Sequence, residues 1–149
     1  MSPATEILKT PVQDRSAWRV ADLQKDKSWV YELSAQALDE IDAALTSVKR
    51  RGTPLYGIRQ TDFPLPTLGA TLKQAADELE NGRGLVVLRR LPVELYTTDD
   101  ARLIIWGLGA HWGEAISQNA RGERLCSVID QGREYGARGG RKRHKAVHV

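Results

Sequence analysis

Residues 82–119 read GRGLVVLRRLPVELYTTDDARLIIWGLGAHWGEAISQN, and this stretch decides the fold. Leu85–Leu88 is a continuous apolar run of strand length, which is typical of a strand covered on both faces. Thr97 or Thr98 is expected to cap a following helix. Leu103–Trp106 is apolar almost all round, which predicts that this helix is deeply buried.

Two glycines interrupt the apolar helix. Gly107 and Gly109 would each cost it about 1 kcal/mol relative to alanine, so we expect close approach of another backbone segment to compensate. Gly113 is expected to end the helix. A dinucleotide-binding loop is not predicted, because Trp112 occupies the place of its third glycine and no strand precedes these residues.

A hairpin is predicted after the helix. Ala115 and Ile116 begin an extended piece, Asn119–Gly122 is a turn signal, and Leu125–Ile129 is the expected returning strand. Cys126 lies in that apolar run and is expected to be a small buried hydrophobe rather than a nucleophile.

The segment upstream predicts a short strand or extended segment and then a helix. Ser28–Leu33 is rich in aromatic and branched residues, as strands are. Ser34 is expected to cap the helix that follows, and Gly52 to close it. The apolar stripe of this helix recurs at spacings of three and four residues and consists of Leu38, Ile41, Leu45 and Val48.

A proline-rich connector, residues 53–67, separates this helix from a second one. Its apolar side chains, Tyr56, Ile58 and Phe63, are available to fasten it to the core. Thr67 is expected to cap the second helix, and Asn81-Gly82 to end it. The expected buried face of that helix is formed by Leu68, Leu72, Ala75, Ala76 and Leu79.

Composition predicts one soluble domain with a separate basic end. The chain has 149 residues, of which 41% are hydrophobic and 28% charged. Residues 137–149 hold five of the 22 Lys and Arg residues and none of the 19 Asp and Glu residues, which leaves a net charge of −2 on the rest. This tail is expected to be disordered, and without aromatic residues it does not predict nucleic-acid recognition.

The location predicted from the sequence is the cytoplasm. A single cysteine excludes an intramolecular disulfide and suits a reducing compartment. No signal peptide is recognisable, and no apolar run approaches the roughly 20 residues of a membrane helix, so no membrane contact is expected.

The order of these motifs resembles the taurine catabolism dioxygenase (TauD/TfdA-like) family over residues 28–136. The motifs that carry the resemblance are FPLPTLG at 63–69, ENGRG at 80–84, LVVLRRLPV at 85–93, YTTDD at 96–100, WGLGAHWG at 106–113 and SQNARG at 117–122. The resemblance implies an α+β fold, with N-terminal helices and the first strands of an incomplete double-stranded β-helix (jelly-roll, clavaminate synthase-like). It also implies two regions: residues 1–136 as the N-terminal part of a dioxygenase domain, and residues 137–149 as the tail.

Members of this family use Fe(II) and 2-oxoglutarate to hydroxylate a small-molecule substrate. The resemblance implies that two histidines and a carboxylate hold the iron, beginning with a His-x-Asp/Glu motif downstream of the Ser-Gln-Asn segment. His111, His144 and His148 are not followed by such a carboxylate. We therefore expect no metal ligand or catalytic residue here, and no tight binding of Fe(II) or 2-oxoglutarate.

Ser117, Gln118 and Asn119 are the only candidate site residues that the resemblance implies. They would lie near the mouth of the active site and orient the substrate, or they would simply cap and turn a hairpin. The chain as a whole is expected to be a truncated or frameshifted member of the family, inactive alone. The alternative is a small non-enzymatic binding module whose basic tail engages an acidic partner or nucleic acid.

Overall fold

A computed structural model describes residues 10–128, and the chain divides into two compact units, one ending at Trp112 and the other beginning at Gly113. The described part of the first unit contains helices and two short strands, in the order α1 (Val20–Lys25), β1 (Val30–Glu32), α2 (Ala35–Arg51), α3 (Leu68–Asn81), β2 (Val87–Arg89) and α4 (Thr98–Gly109). Single 3-10 turns lie at Leu55–Gly57, Gln60–Asp62 and Val93–Leu95. This mixture of helices with a small sheet agrees with the α+β prediction.

Strands β1 and β2 form a parallel pair in which Val30 lies opposite Val87 and Glu32 lies opposite Arg89. A parallel pair needs a long crossover, which α2 and α3 supply. Both predicted strands are therefore confirmed, although each has only three residues and β2 extends one residue past Leu88, to Arg89. The expectation that Leu85–Leu88 is covered on both faces was wrong, because within residues 10–128 the sheet has only two strands and leaves the side chain of Val87 39% exposed.

Helix α2 begins and ends where the sequence predicts. The Ser34 hydroxyl accepts a hydrogen bond from the Ala37 N–H at 3.2 Å. Gly52 closes the helix with a φ of +62°, a left-handed conformation that glycine adopts at little cost. Ile41, Leu45 and Val48 are buried as predicted, while Leu38 is only partly buried and packs against the core.

Helix α3 is capped by a residue other than the one predicted. Thr67 was the expected cap, but its backbone is helical and its hydroxyl accepts from no helix N–H. Instead, the Glu40 carboxylate on α2 accepts from the N–H groups of Thr67 at 3.0 Å and Leu68 at 2.9 Å. A carboxylate suits this position because it satisfies two free donors at the positive end of the helix dipole.

The buried face of α3 is narrower than predicted. Leu68, Leu72 and Ala75 are buried, but Ala76 is only partly buried and Leu79 is 37% exposed. Asn81-Gly82 ends the helix as expected.

Helix α4 begins with a capping box in which Thr97 and Asp100 satisfy each other's backbone N–H groups, which confirms Thr97 as the cap. Ile104 is fully buried, but Ile105 is 39% exposed, so the prediction that this helix is buried on nearly all sides was wrong. The helix ends at Gly109, four residues before the predicted end at Gly113, because the chain turns through residues 110–112.

A close approach at Gly107 is confirmed, but a side chain makes it. A Cβ atom built on Gly107 would lie 2.5 Å from Cδ2 of Phe63, whose ring is fully buried. Backbone approach was therefore the wrong expectation, and Gly109 has nothing within 4 Å of the same position. Phe63 and Ile58 fasten the connector to the core as predicted. Tyr56 is 47% exposed, but its ring also packs against Trp106 on α4, with the ring centroids 4.9 Å apart.

All four tryptophans of the chain donate their indole N–H to a backbone carbonyl. The pairs are Trp18 with Arg83 at 3.0 Å, Trp29 with Asp26 at 3.0 Å, Trp106 with Ile58 at 3.1 Å and Trp112 with Leu72 at 2.9 Å. Three of these bonds join segments 40 or more residues apart in sequence, so the indoles connect distant parts of the first unit.

The second unit is described as far as Val128 and contains the predicted turn without its strands. The Gly122 N–H donates to the Asn119 carbonyl at 3.0 Å, and the Gln118 N–H donates to the Glu123 carbonyl at 2.7 Å. Residues 113–128 contain no strand, so the prediction of a returning strand was wrong for Leu125–Val128. The last residue of that predicted strand, Ile129, lies outside the described residues. One cross-turn hydrogen bond does not make a ladder.

Candidate functional site

The predicted substrate-side residues Ser117, Gln118 and Asn119 lie in this turn, where their polar atoms bond locally. The Ser117 hydroxyl donates to the Asn119 carbonyl at 2.8 Å, and the Gln118 amide donates to the carbonyl of Ile116 at 3.2 Å. Asn119 Oδ1 accepts from the backbone N–H of Arg121 at 2.9 Å. These bonds are those of a turn-forming segment. A substrate-orienting role for the three residues stays a prediction.

His111 holds the end of α4 against the proline-rich connector. One ring nitrogen, Nε2, lies 2.8 Å from the Phe63 carbonyl, which can only accept, so Nε2 carries the hydrogen. The other, Nδ1, then accepts from the Gln60 amide at 3.3 Å. Because both ring nitrogens are engaged, His111 has no free lone pair for a metal ion in this arrangement.

The described residues do not fit the iron centre that the resemblance implies. Within residues 10–128, no three His, Cys, Asp or Glu side chains lie close enough together to hold a metal ion. His144 and His148, together with the whole basic tail on which the binding-module alternative depends, lie outside the described residues. We therefore derive no chemical step through iron from this part of the chain.

Cys126 is partly buried rather than fully buried. Its sulfur lies 3.4 Å from the Asn119 amide nitrogen and 3.8 Å from a carboxylate oxygen of Glu123.

The densest charge cluster in the described residues centres on Arg83, which the sequence reasoning missed. Its guanidinium donates to Glu78 at 2.8 Å and to the Ser28 hydroxyl at 3.1 Å, and it also pairs with Asp26. The Arg83 side chain is only 10% exposed. Arg15 reaches the same Glu78 carboxylate at 3.0 Å. The cluster therefore ties the segment before β1 to the end of α3.

Glu78 stays ionised within this cluster. Partial burial raises the pKa of its carboxyl group, but hydrogen bonds from the backbone and side chain of Arg83, with the positive charges of Arg15 and Arg83, outweigh burial and lower it. Space is also tight, since a Cβ built on Gly82 would lie 2.5 Å from Glu78 Cδ. The sequence signal that could have pointed to this cluster is an arginine between two glycines, Gly82-Arg83-Gly84, directly after a helix.

A shallow depression on the first unit is lined by Leu55, Asp99, Arg102 and Leu103 and encloses about 310 Å³. It opens widely to solvent and presents mostly apolar atoms. Small-molecule sites instead enclose most of their ligand and present a few convergent polar groups. This depression therefore lacks the enclosure and the polar groups of a small-molecule site.

Two known proteins are similar to this chain over most of its length. The chain is 33% identical over 128 residues to FR-33289 synthase of Streptomyces rubellomurinus, an alignment that covers 86% of this chain and 38% of that protein. It is 25% identical over 124 residues to the taurine hydroxylase-like protein SAT17 of Stachybotrys chartarum, covering 83% of this chain and 32% of that protein. No family model matches the chain.

The chain thus spans between about a third and two fifths of the length of these curated relatives. Similarity to a taurine hydroxylase-like protein agrees with the resemblance read from the motifs, at the level of an oxygenase family. Within residues 10–128, no helix has both the length and the apolar character needed to cross a membrane.

Proposed function

We propose that this chain forms the N-terminal scaffold portion of an Fe(II)- and 2-oxoglutarate-dependent dioxygenase of the taurine dioxygenase type. The observation that carries the proposal is the alignment with the taurine hydroxylase-like protein SAT17, which extends over 124 residues rather than over one short motif. The reaction would be hydroxylation of a small organic substrate, coupled to decarboxylation of 2-oxoglutarate to succinate.

The arrangement of the described residues supports a scaffold role rather than a catalytic one. Buried apolar side chains, helix caps and the Arg83 cluster account for the well-packed features of the first unit. Bound iron would supply oxygen activation in such an enzyme, and its ligands would come from residues other than 10–128. We accordingly propose a jelly-roll core to which this portion belongs, and no turnover by this chain alone.

A chimera tests the proposal directly. The segment of the taurine hydroxylase-like protein SAT17 that aligns with this chain is replaced by the corresponding residues of the chain, and iron-dependent consumption of 2-oxoglutarate is measured. We expect the chimera to consume 2-oxoglutarate, whereas a matched SAT17 variant with the segment deleted should not. A folded, iron-loaded chimera without turnover would overturn the proposal.

The purified chain is assayed in parallel with Fe(II) and 2-oxoglutarate. We expect succinate formation no greater than in a buffer control, because a site lacking its ligand triad binds iron weakly. Iron-dependent succinate formation by the chain alone would contradict the scaffold assignment.

A further inference from the structure

The described chain begins with a segment that lies on the surface of the first unit, residues 10–25, which we call the strap. Its only helix, α1, has no buried residue, and Leu23 is the single strap residue that is even partly buried. Helix α2, by contrast, buries five residues along one face. Because burial of apolar surface is the main stabilising contribution in a fold, little of it holds the strap in place.

Polar contacts with the end of α3 fasten the strap instead. The Arg15 guanidinium donates to both oxygens of the Glu78 carboxylate, at 3.2 and 3.0 Å. The Trp18 indole N–H donates to the Arg83 carbonyl at 3.0 Å. The Arg15 side chain is 58% exposed, so this ion pair lies at the boundary with solvent, where salt screens it.

One carboxylate serves both this fastening and the Arg83 cluster. Glu78 Oε1 also accepts from the backbone N–H of Arg83 at 3.1 Å and from its guanidinium at 2.8 Å. If the charge of Glu78 is removed, the guanidinium groups of Arg15 and Arg83 lose the negative charge that offsets their repulsion. The attachment of the strap therefore depends on the charge of one residue of α3.

A second set of contacts, which begins at Asp26, is placed more deeply. Arg83, whose side chain is 10% exposed, pairs with Asp26 and donates to the Ser28 hydroxyl at 3.1 Å. Asp26 Oδ1 also accepts from the Ser28 N–H at 2.9 Å, which fixes a turn just before β1. The next residue, Trp29, accepts from the Val87 N–H at 3.0 Å. The chain is therefore held firmly from Asp26 onward and weakly before it, which makes this boundary a hinge.

We propose that the strap is a charge-controlled device: it leaves the end of α3 as a unit when the Arg15–Glu78 pair is broken, while α2, α3 and the strand pair stay folded. Opening releases the Arg83 carbonyl from Trp18 and uncovers the loop that leads from α3 into β2. A helix as short as α1 does not persist away from the surface, so its hydrogen bonds open with the strap. Neither the strap nor its opening depends on the oxygenase function proposed above.

Amide hydrogen exchange of the full chain, followed by NMR at neutral pH, tests the proposal. The Leu23 amide, which bonds to the Arg19 carbonyl within the strap, reports opening. We expect Glu78→Gln to lower its protection factor about tenfold, because hydrogen bonds to a charged group are lost. Glu80→Gln removes the same charge from an exposed side chain of the same helix and should leave Leu23 unchanged. The Val87 amide, which lies beyond the hinge, should change little in either variant.

An equal loss of protection at Leu23 and Val87 in Glu78→Gln would overturn the proposal, because the strap and the sheet would then open together. Unchanged Leu23 protection, or the same loss in Glu80→Gln, would overturn it as well.

Two further measurements keep the proposal testable if Glu78→Gln does not fold. Arg15→Met, at an exposed side chain, removes the strap's half of the pair and should lower Leu23 protection by a similar factor. In the unchanged chain, raising NaCl from about 0.05 M to about 1 M should lower Leu23 protection about threefold and leave Val87 protection unchanged. Full protection in Arg15→Met, or a salt effect of equal size at both amides, would refute the device.

Where Glu78→Gln folds, it completes a cycle with Arg15→Met. The two substitutions together should lower Leu23 protection little further than either alone, because both break the same pair. The salt dependence should also disappear in Glu78→Gln. Additive effects, or a salt dependence that persists in this variant, would show that another contact holds the strap.

Discussion

Gly107→Ala is the substitution for which the structure gives the clearest expectation. The new methyl group would lie 2.5 Å and 2.7 Å from the two Cδ atoms of Phe63. Carbon atoms prefer separations of about 3.5–4.0 Å, so the ring would have to move by about 1 Å. Phe63 is fully buried, which leaves it no adjoining solvent to move into.

The magnitude follows from two opposing effects. Overpacking a core costs about 1–3 kcal/mol, and a shift of this size lies near the upper end, while alanine gains the helix about 1 kcal/mol over glycine. We expect Gly107→Ala to lower the free energy of unfolding by about 2 kcal/mol. Gly109→Ala is the matched control, because nothing lies within 4 Å of its added Cβ and it should gain up to about 1 kcal/mol.

Urea unfolding of the chain, followed by far-ultraviolet circular dichroism, measures both variants. A double-mutant cycle with Phe63→Ala should show a coupling of about 1–3 kcal/mol, because removing the ring removes the clash. The reasoning would be refuted if the two glycine variants were equally stable, or if Gly107→Ala and Phe63→Ala were additive.

Four further results are expected. Glu40→Gln should lower the free energy of unfolding by about 1 kcal/mol through loss of charge at the α3 N-terminus, with Asp39→Asn near neutral in the same urea titration. Arg83→Met should open the segment before β1, detected as early cleavage by a protease between residues 10 and 29; unchanged cleavage would contradict the cluster's role. The pKa of Glu78 is lowered in the fold, so the ionised carboxylate stabilises the folded state at pH values above its ordinary pKa of 4.5. This stabilisation is lost as the pH falls through the folded-state pKa, so Glu78→Gln should flatten the acid limb of a stability–pH profile. Burial and the hydrogen bond to Asp42 raise the pKa of Tyr96 from 10.0 to about 12. The stabilisation that the protonated hydroxyl gives the fold is therefore lost as the pH rises from 10 to 12. A Tyr96→Phe variant that still loses stability over this pH range would disprove the role of Tyr96.

Local features of the fold could be predicted from the sequence. Ser34, Thr97 and Gly52 act through backbone groups at most four residues away, so their roles follow from the neighbouring residues. Burial of Ile41 and Val48 follows in the same way from helical spacing.

Features set by distant residues could not be predicted. The α3 cap comes from Glu40, 28 residues before Leu68, while Thr67 offered a plausible local cap. The partner of Gly107 is a phenylalanine 44 residues earlier, and no spacing rule identifies it. The prediction that β2 is covered on both faces failed because an apolar run does not specify how many strands or helices will surround it.

The candidate site was less predictable than the fold. Arg83 acquires its importance from Asp26 and Ser28, more than 50 residues away, so the sequence shows only an arginine between glycines. Ser117, Gln118 and Asn119 were placed by resemblance alone, and the structure brings them together in a turn that leaves their substrate role a prediction.

The four indole N–H bonds give this chain its own set of local reporters. Because Trp18 bonds to the carbonyl of Arg83 and Trp112 to that of Leu72, an indole NMR signal can register loosening of one region while another stays intact. Release of Trp18 before Trp106 and Trp112 during denaturation would mean that the N-terminal segment detaches before the helices separate. A series of such spectra at increasing denaturant would show whether the unit unfolds in one step or in sequence.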